Sequence, residues 1–347
     1  MNNMELVRLH FMLPINKEDI LQEKTYFSKL SEQFISNSNV WTISDLFHTV
    51  LGIYLIESQF SKELLLSSKE FLKNCERNNC FMASTPNNPL FSLLKNSAPE
   101  QDIYSSYYGF LLSKILGLKT YPNSLGELVI KNFQSSGWFY PLTISNTIED
   151  RRFHSELVFQ SLFAVKILSI LNKTSEIEFS STLKVIDNLF DETKYLGVKS
   201  NILELKKLIQ GKVEIEKTEL KGLVEFLEKH YSKEKGGFYE YLFEEVKIDE
   251  NTKRRQRFNN DYLVPSISAT YSSIKIISMF YDNKEIEDFF TPKLRKIKEF
   301  LSNNICQVGG AGTEIKIAKF NANVGNKCSP QETLMKAASL GFIASNE

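Results

Sequence analysis

Three groups of residues in this 347-residue chain carry side chains that could do chemistry. Asp102 stands at the opening of an apolar helical stretch. His154 and Glu156 stand at the opening of another, inside EDRRFHSE, with Asp150 close by. Carboxylates and an imidazole at such positions serve as general acids and bases. The second group is aromatic: Tyr104, Tyr108, Phe159 and Tyr271, accompanied by Tyr54, Tyr107, Phe110 and Phe163 in stretches of the same kind. Ring faces stabilise positive charge and line apolar tunnels. The third is the basic run KRRQR, whose Arg254, Arg255 and Arg257 have the fork geometry that grips phosphate oxygens bidentately. Each group also has a plainer reading. Asp102 serves equally as a helix N-cap, His154 and Glu156 as a polar rim, the arginines as solvated surface, and the rings as core in a chain that is 12% aromatic.

The elements that hold these residues repeat. The stretch Gln101 to Leu142 reads as a helix, a return helix and a Gly-aromatic plug, with Gly117 closing the first helix and Ser135-Ser136-Gly137 followed by Trp138 and Phe139 closing the second. The plug recurs as FLKNCERNNCF (71–81), VIKNFQSSGWF (129–139), FLEKHYSKEKGGF (226–238) and FLSNNICQVGGAG (300–312), with a degenerate copy, VIDNLFDETKYLG, at 185–197. Such a hairpin cannot bury its own apolar face and needs neighbours of its kind. The spacing predicts first helices of each pair near 44–56, 102–116, 153–171, 202–210, 266–280 and 329–344. Two insertions alternate in strand fashion: one follows Phe238, and the other is Glu314 to Phe320.

A helix opening with Asp or Ser-Pro and rich in Ser, Thr, Tyr and Ala, followed by one ending FLxxCQxxxGGF, resembles the prenyltransferase and squalene-cyclase repeat. That repeat is shared by protein prenyltransferase β-subunits and class II terpenoid cyclases, and the likeness runs over residues 40 to 345. It implies an all-α fold, an α/α toroid (barrel) of five to six hairpins with short β insertions at the barrel ends. It also implies an enzyme that cyclises or transfers a prenyl chain, taking a prenyl diphosphate into a central aromatic cavity with basic residues just before the helix that Pro265 opens. The zinc site of the protein prenyltransferases, built from Asp, Cys and His at late helix openings, is not matched. The openings here read Val264-Pro265-Ser266-Ile267-Ser268 and Cys328-Ser329-Pro330-Gln331-Glu332. The DxDD acid of the cyclases and the DDxxD magnesium motif are absent too, since no two Asp are adjacent. The alternative is a non-catalytic toroid that binds a partner protein subunit, a peptide or a lipid.

Composition sets outer limits. Residues 1–38 read as an N-terminal helical extension and 39–347 as a single barrel domain, with 42% hydrophobic content to fill it. Forty-two basic residues balance 42 acidic ones, which argues against nucleic acid as a partner. No apolar run reaches membrane-spanning length, no signal-peptide pattern opens the chain, and four cysteines make no disulfide framework. A cytoplasmic protein without a cofactor is the expectation. Protein purified without added metal should therefore carry no stoichiometric zinc. Zinc that is present at one equivalent and lost on Cys328→Ala would contradict this reading.

Overall fold

The computed structural model describes residues 2–77, 80–86, 88, 102–118, 124–140, 154–240, 265–305, 315–317, 322–324 and 329–346. These are overwhelmingly helical. In chain order they form α1 (Asn3–Phe11), α2 (Lys17–Leu21), α3 (Lys24–Ser36), α4 (Ile43–Glu57), α5 (Lys62–Cys75), β1 (Glu76–Arg77), β2 (Cys80–Phe81), α6 (Ile103–Ile115), α7 (Leu125–Lys131) and α8 (His154–Ile170). There follow α9 (Ser180–Glu192), α10 (Leu196–Gln210), α11 (Lys217–His230), α12 (Ile267–Met279), α13 (Lys284–Phe290), α14 (Leu294–Asn303), β3 (Ile315–Ile317), β4 (Ala322–Val324) and α15 (Pro330–Ala344). The first helices of the pairs lie within a residue or two of their expected bounds, apart from α10. The described strands make two antiparallel pairs, β1 with β2 and β3 with β4; β3 lies within the alternating stretch Glu314 to Phe320 and β4 just beyond it. No described helix is long and apolar enough to cross a membrane.

The reason for the sharp starts is local. Thr42, Asp102, Ser266 and Ser329 each take an extended backbone and accept, through the side chain, the N–H three residues on, so that each helix begins with one free donor satisfied.

The chain divides into two compact units. The first comprises Met1–Met12, Lys17–Thr193 and Asn201–Val213; the second comprises Leu13–Asn16, Lys194–Ser200 and Glu214–Glu347. In the first unit α6 packs between α4 and α8, α3 lies on α4 and α5, α7 lies on α8, and α1 lies on α6. Its core includes the fully buried Phe27, Phe47, Phe81, Tyr107, Tyr108, Phe110 and Phe139. Two glycines make this packing close: the rings of Phe27 and Phe81 occupy the places where Gly52 and Gly109 would carry a Cβ. In the second unit α12 packs on α15, α14 on α15, and α11 on α13.

The plugs are the joints between successive hairpins. In three of them the plug phenylalanine donates its N–H to a hydroxyl on the first helix of the next hairpin: Phe81 to Ser106 (3.1 Å), Phe139 to Ser161 (3.2 Å) and Phe238 to Thr270 (3.1 Å). The next residue turns back to its own second helix, with Met82 N–H on the Cys75 carbonyl, Tyr140 N–H on Asn132 and Tyr239 N–H on His230. Gly137 and Gly236 stand two residues before their phenylalanines and have φ of 89° and 82°. A Cβ on Gly137 would come 2.6 Å from the Ser181 backbone of α9, and one on Gly236 would collide with the Lys296 backbone of α14. The Gly-aromatic signature therefore records a left-handed turn pressed against the following outer helix.

One expected copy is different. Residues 185–197 form no plug: α9 runs to Glu192, and Gly197 lies in the first turn of α10. The Glu240 carboxylate accepts the Gly197 N–H at 2.8 Å, and burial pushes that carboxyl above its ordinary range. This cap starts α10 at Leu196, well before the expected 202. The expected strand-like insertion after Phe238 lies, beyond residue 240, outside the described residues.

Because each joint N–H is buried, Ser161→Ala and Thr270→Val should each cost about 1–3 kcal/mol in chemical unfolding. Ser113, equally buried, only donates to the Gly109 carbonyl of its own helix, and Ser113→Ala should cost at most about 0.5 kcal/mol. Equal losses at all three sites would contradict the joint.

Candidate functional site

The chemistry-bearing residues of the first unit gather where α4, α6 and α8 begin. Asp102 is the N-cap of α6. Its Oδ1 accepts the Ser105 N–H at 2.5 Å and its Oδ2 accepts the Ser105 hydroxyl at 3.1 Å. Burial pushes its carboxyl above the ordinary aspartate range; the Ser105 hydrogen bonds oppose this and the Glu156 carboxylate adds to it. Glu156, exposed in the first turn of α8, accepts the Gln160 side-chain N–H at 2.7 Å. His154 is the first residue of α8, and its side chain lies outside the described residues.

Next to the carboxyls is an aromatic face. Tyr104 meets Tyr108 edge-on with ring centroids 4.6 Å apart, and meets Phe159 at 5.0 Å. Phe163 joins all three, at 5.1 Å from Tyr104, 5.8 Å from Tyr108 and 4.7 Å from Phe159. Tyr104 and Phe159 are half-buried, whereas Tyr108 is 1% exposed. The face thus has an accessible side and a closed side. Burial raises both tyrosines above the usual phenol range, so they are neutral rings with hydroxyl donors. The Tyr104 hydroxyl lies 3.2 Å from that of Ser44 on α4.

Of the expected wall, Tyr104, Tyr108 and Phe159 are therefore brought together. Tyr271 belongs to the second unit, buried on α12 with the Lys275 ammonium 5.6 Å from its ring centre. Arg254, Arg255 and Arg257 lie outside the described residues.

Behind the closed side are groups that local sequence patterns did not single out. His48 on α4 is fully buried; its Nδ1–H donates to the Ser44 carbonyl at 2.7 Å, and its Nε2 has no hydrogen-bond partner. His10 on α1 sits among Phe47, His48, Tyr107 and Tyr108 at centroid distances of 5.1, 5.5, 5.8 and 5.7 Å. Lys166 on α8 pairs with Glu204 on α10 at 2.5 Å, both nearly inaccessible, and donates to the His10 carbonyl at 3.0 Å. The ammonium also lies 5.9 Å from the Tyr107 ring centre and 5.7 Å from that of Phe163. A Ser-x-x-x-His spacing within α4 was the available signal for His48, whereas the Lys166–Glu204 pair joins helices too far apart in sequence to leave one.

Two other chemistries find little footing among the described residues. Cys75 and Cys80 are buried, their thiols pushed up to about 12 and about 11, so neither is a ready nucleophile. At the opening of α12 the cap is Ser266, whose hydroxyl accepts the Ala269 N–H, and Pro265 precedes it; neither ligates zinc. Cys328 lies outside the described residues, and among the described ones no three His, Cys, Asp or Glu converge as metal ligands. Among the described residues, the α12 opening supplies no ligand for a zinc centre of the protein prenyltransferase kind.

No protein-family model and no curated protein matches the sequence. Nineteen chains of solved structures match the fold. Among them is a chain of Candida albicans protein geranylgeranyltransferase-I complexed with GGPP. It is 15% identical, with a TM-score of 0.57 over 92% of this chain and 90% of that one. At that identity the likeness speaks for the fold alone. The chain has the all-helical prenyltransferase-type fold, which bears out the α/α class expected from its repeats.

The buried imidazole makes a stability prediction. Burial lowers His48 from 6.5 to about 4. Between those values the unfolded chain binds a proton that the folded one does not, so this contribution is complete above about pH 6.5 and is lost as pH falls. From near pH 7.5 to near pH 5 the loss should be about 2 kcal/mol in urea unfolding, and His48→Leu should remove it. An identical pH slope in the variant would contradict a neutral, unpartnered His48.

Proposed function

We propose that this chain is an isoprenoid-type enzyme that binds a prenyl diphosphate with its apolar chain against the Tyr104, Tyr108 and Phe159 face. The observation that carries the reading is that face itself: a half-open aromatic surface bordered by a carboxyl that burial biases toward its protonated form, on a fold shared with a prenyltransferase. An amphiphile with a diphosphate head needs two environments. The apolar surface supplies roughly 0.8 kcal/mol per buried methylene. The head requires fixed positive charge, for which Arg254, Arg255 and Arg257 are the proposed donors. Tyr271 is proposed to extend the apolar wall.

Thiolate transfer is disfavoured by the residues at the α12 opening, so proton-initiated chemistry fits this chain best. In that step Asp102 gives its proton to an alkene carbon of the chain. The π pair forms the new C–H bond, leaving a carboxylate and a carbocation that the ring faces of Tyr104 and Phe159 stabilise. His154 and Glu156 are the proposed bases that take a proton back as the final alkene forms, and return of a proton to Asp102 resets the site. A second reading has support of its own: both Asp102 oxygens are occupied by Ser105, as in a plain N-cap, which suits a non-catalytic toroid that binds a lipid, a peptide or a partner protein.

Calorimetric titration with farnesyl and geranylgeranyl diphosphate separates the two. The enzyme reading expects binding, weakened about tenfold by Phe159→Ala and by charge reversal of the three arginines. It also expects product formation that Asp102→Asn abolishes without loss of binding, since asparagine caps a helix as well as aspartate. Binding without any product, unchanged in Asp102→Asn, would favour the non-catalytic toroid. No heat and no thermal stabilisation with either diphosphate would remove the prenyl reading.

A further inference from the structure

We infer that α1 is a displaceable plug on the closed side of the aromatic face, and that a prenyl chain entering this site competes with α1 for it. The inference rests on the prenyl reading above and adds a regulatory element to it. The geometry that carries it is the position of His10. Its ring lies among Phe47, His48, Tyr107 and Tyr108, and its Nδ1 is 3.2 Å from the Tyr107 hydroxyl. Tyr108 is therefore shared: one neighbour is Tyr104, on the accessible side, and another is His10, on the plug.

The construction of α1 suits an element that leaves as a unit. Its N-terminal cap is internal to the helix, while its last turn is tied to α8 by the Lys166 bond to the His10 carbonyl. Asn2 accepts the Glu5 N–H at 2.9 Å while Glu5 accepts the Asn2 N–H at 2.6 Å, and at the other end Met12, with φ of 59°, donates to the Arg8 carbonyl. Nine residues are too few for a helix to persist alone in water, so packing rather than propensity sets its place. The residues it buries, Leu6, Val7 and Phe11 beside His10, are mostly branched or aromatic hydrocarbon, chemically close to the methyl-branched tail that would replace them. What stays behind is also provided for. Lys166 loses the His10 carbonyl but keeps Glu204, and the two ring faces near its ammonium remain. The vacated space would be an aromatic pocket, with Phe47, Tyr107 and Tyr108 among its walls, continuous with the accessible face through Tyr108.

Hydrogen exchange on the whole 347-residue chain, with and without farnesyl diphosphate, tests the plug. Amides of α1 are expected to exchange at least about tenfold faster than those of α6 in the free protein, and faster still when the diphosphate is added, while α6 becomes more protected. A loosened variant, Leu6→Ala with Phe11→Ala, checked for intact helicity by circular dichroism, is expected to bind farnesyl diphosphate about tenfold more tightly than the wild type. A merely structural α1 would weaken binding instead, so the sign of the change is diagnostic. Binding that leaves α1 as protected as α6, or that is weaker in the loosened variant, overturns the plug and leaves the prenyl reading standing. Absence of binding in both proteins overturns the prenyl reading, and the plug's competitive role with it.

Discussion

The arrangement depends on one hydrogen bond made three times: the N–H of a plug phenylalanine donating to a Ser or Thr hydroxyl on the next first helix. A lone hairpin of this kind has an apolar face and nothing to lay it against. The plug solves both halves of that problem. Its ring fills the gap between hairpins, as Phe81 does over Gly109, and its backbone would be left buried and unsatisfied without the hydroxyl. One buried hydroxyl in each of α6, α8 and α12 is accounted for in this way. Ser106, Ser161 and Thr270 each occupy one place on their helices because the joint requires a donor-and-acceptor side chain there and little room remains for a larger one.

The same joints fix the relative register of α4, α6 and α8, and that register makes the aromatic face. Tyr104 and Tyr108 are one turn apart on α6, Phe159 and Phe163 one turn apart on α8, so the four rings meet mostly edge to face. Ring packing of this sort satisfies hydrocarbon and leaves polar tips to be dealt with at the edges, through Ser44 at one side and the His10–Tyr107 contact at the other. The unit nevertheless carries unusual electrostatic costs. A lysine and a glutamate are withdrawn from water as a pair, a histidine is held neutral with one nitrogen unpartnered, and an aspartate is held where ionisation is disfavoured. Removing either member of such a buried pair typically costs about 3–5 kcal/mol, and a single apolar core would avoid the expense. Their concentration around one aromatic face is what distinguishes that face from ordinary core.

The fold was legible in the sequence because its signals are local and repeated. The caps at Thr42, Asp102, Ser266 and Ser329 and the glycines at 137 and 236 each act within a few residues, and several copies agree. The degenerate copy at 185–197 misled because its glycine is real but serves another end: Gly197 presents its N–H to Glu240, a partner no local pattern could supply. The site was half legible. Helical spacing placed Tyr104, Tyr108 and Phe159 on first helices, and packing of α6 against α8 did the rest. His10, His48, Lys166 and Glu204 were not singled out, because their significance lies in contacts across α1, α4, α8 and α10 that spacing along one helix does not encode. Asp102 shows the remaining ambiguity in physical form, since the same two oxygens that make it a candidate acid are those that cap α6.

Photoaffinity labelling bears most directly on the claim that the α6–α8 face receives an isoprenoid chain. A farnesyl diphosphate analogue with a benzophenone in its tail would be irradiated with the protein and the adducts mapped by peptide mass spectrometry. Labelling that is concentrated on residues 102–116 and 154–170, and suppressed by unlabelled farnesyl diphosphate, is the expected result. Labelling spread over surface peptides, or undiminished by the competitor, would contradict it.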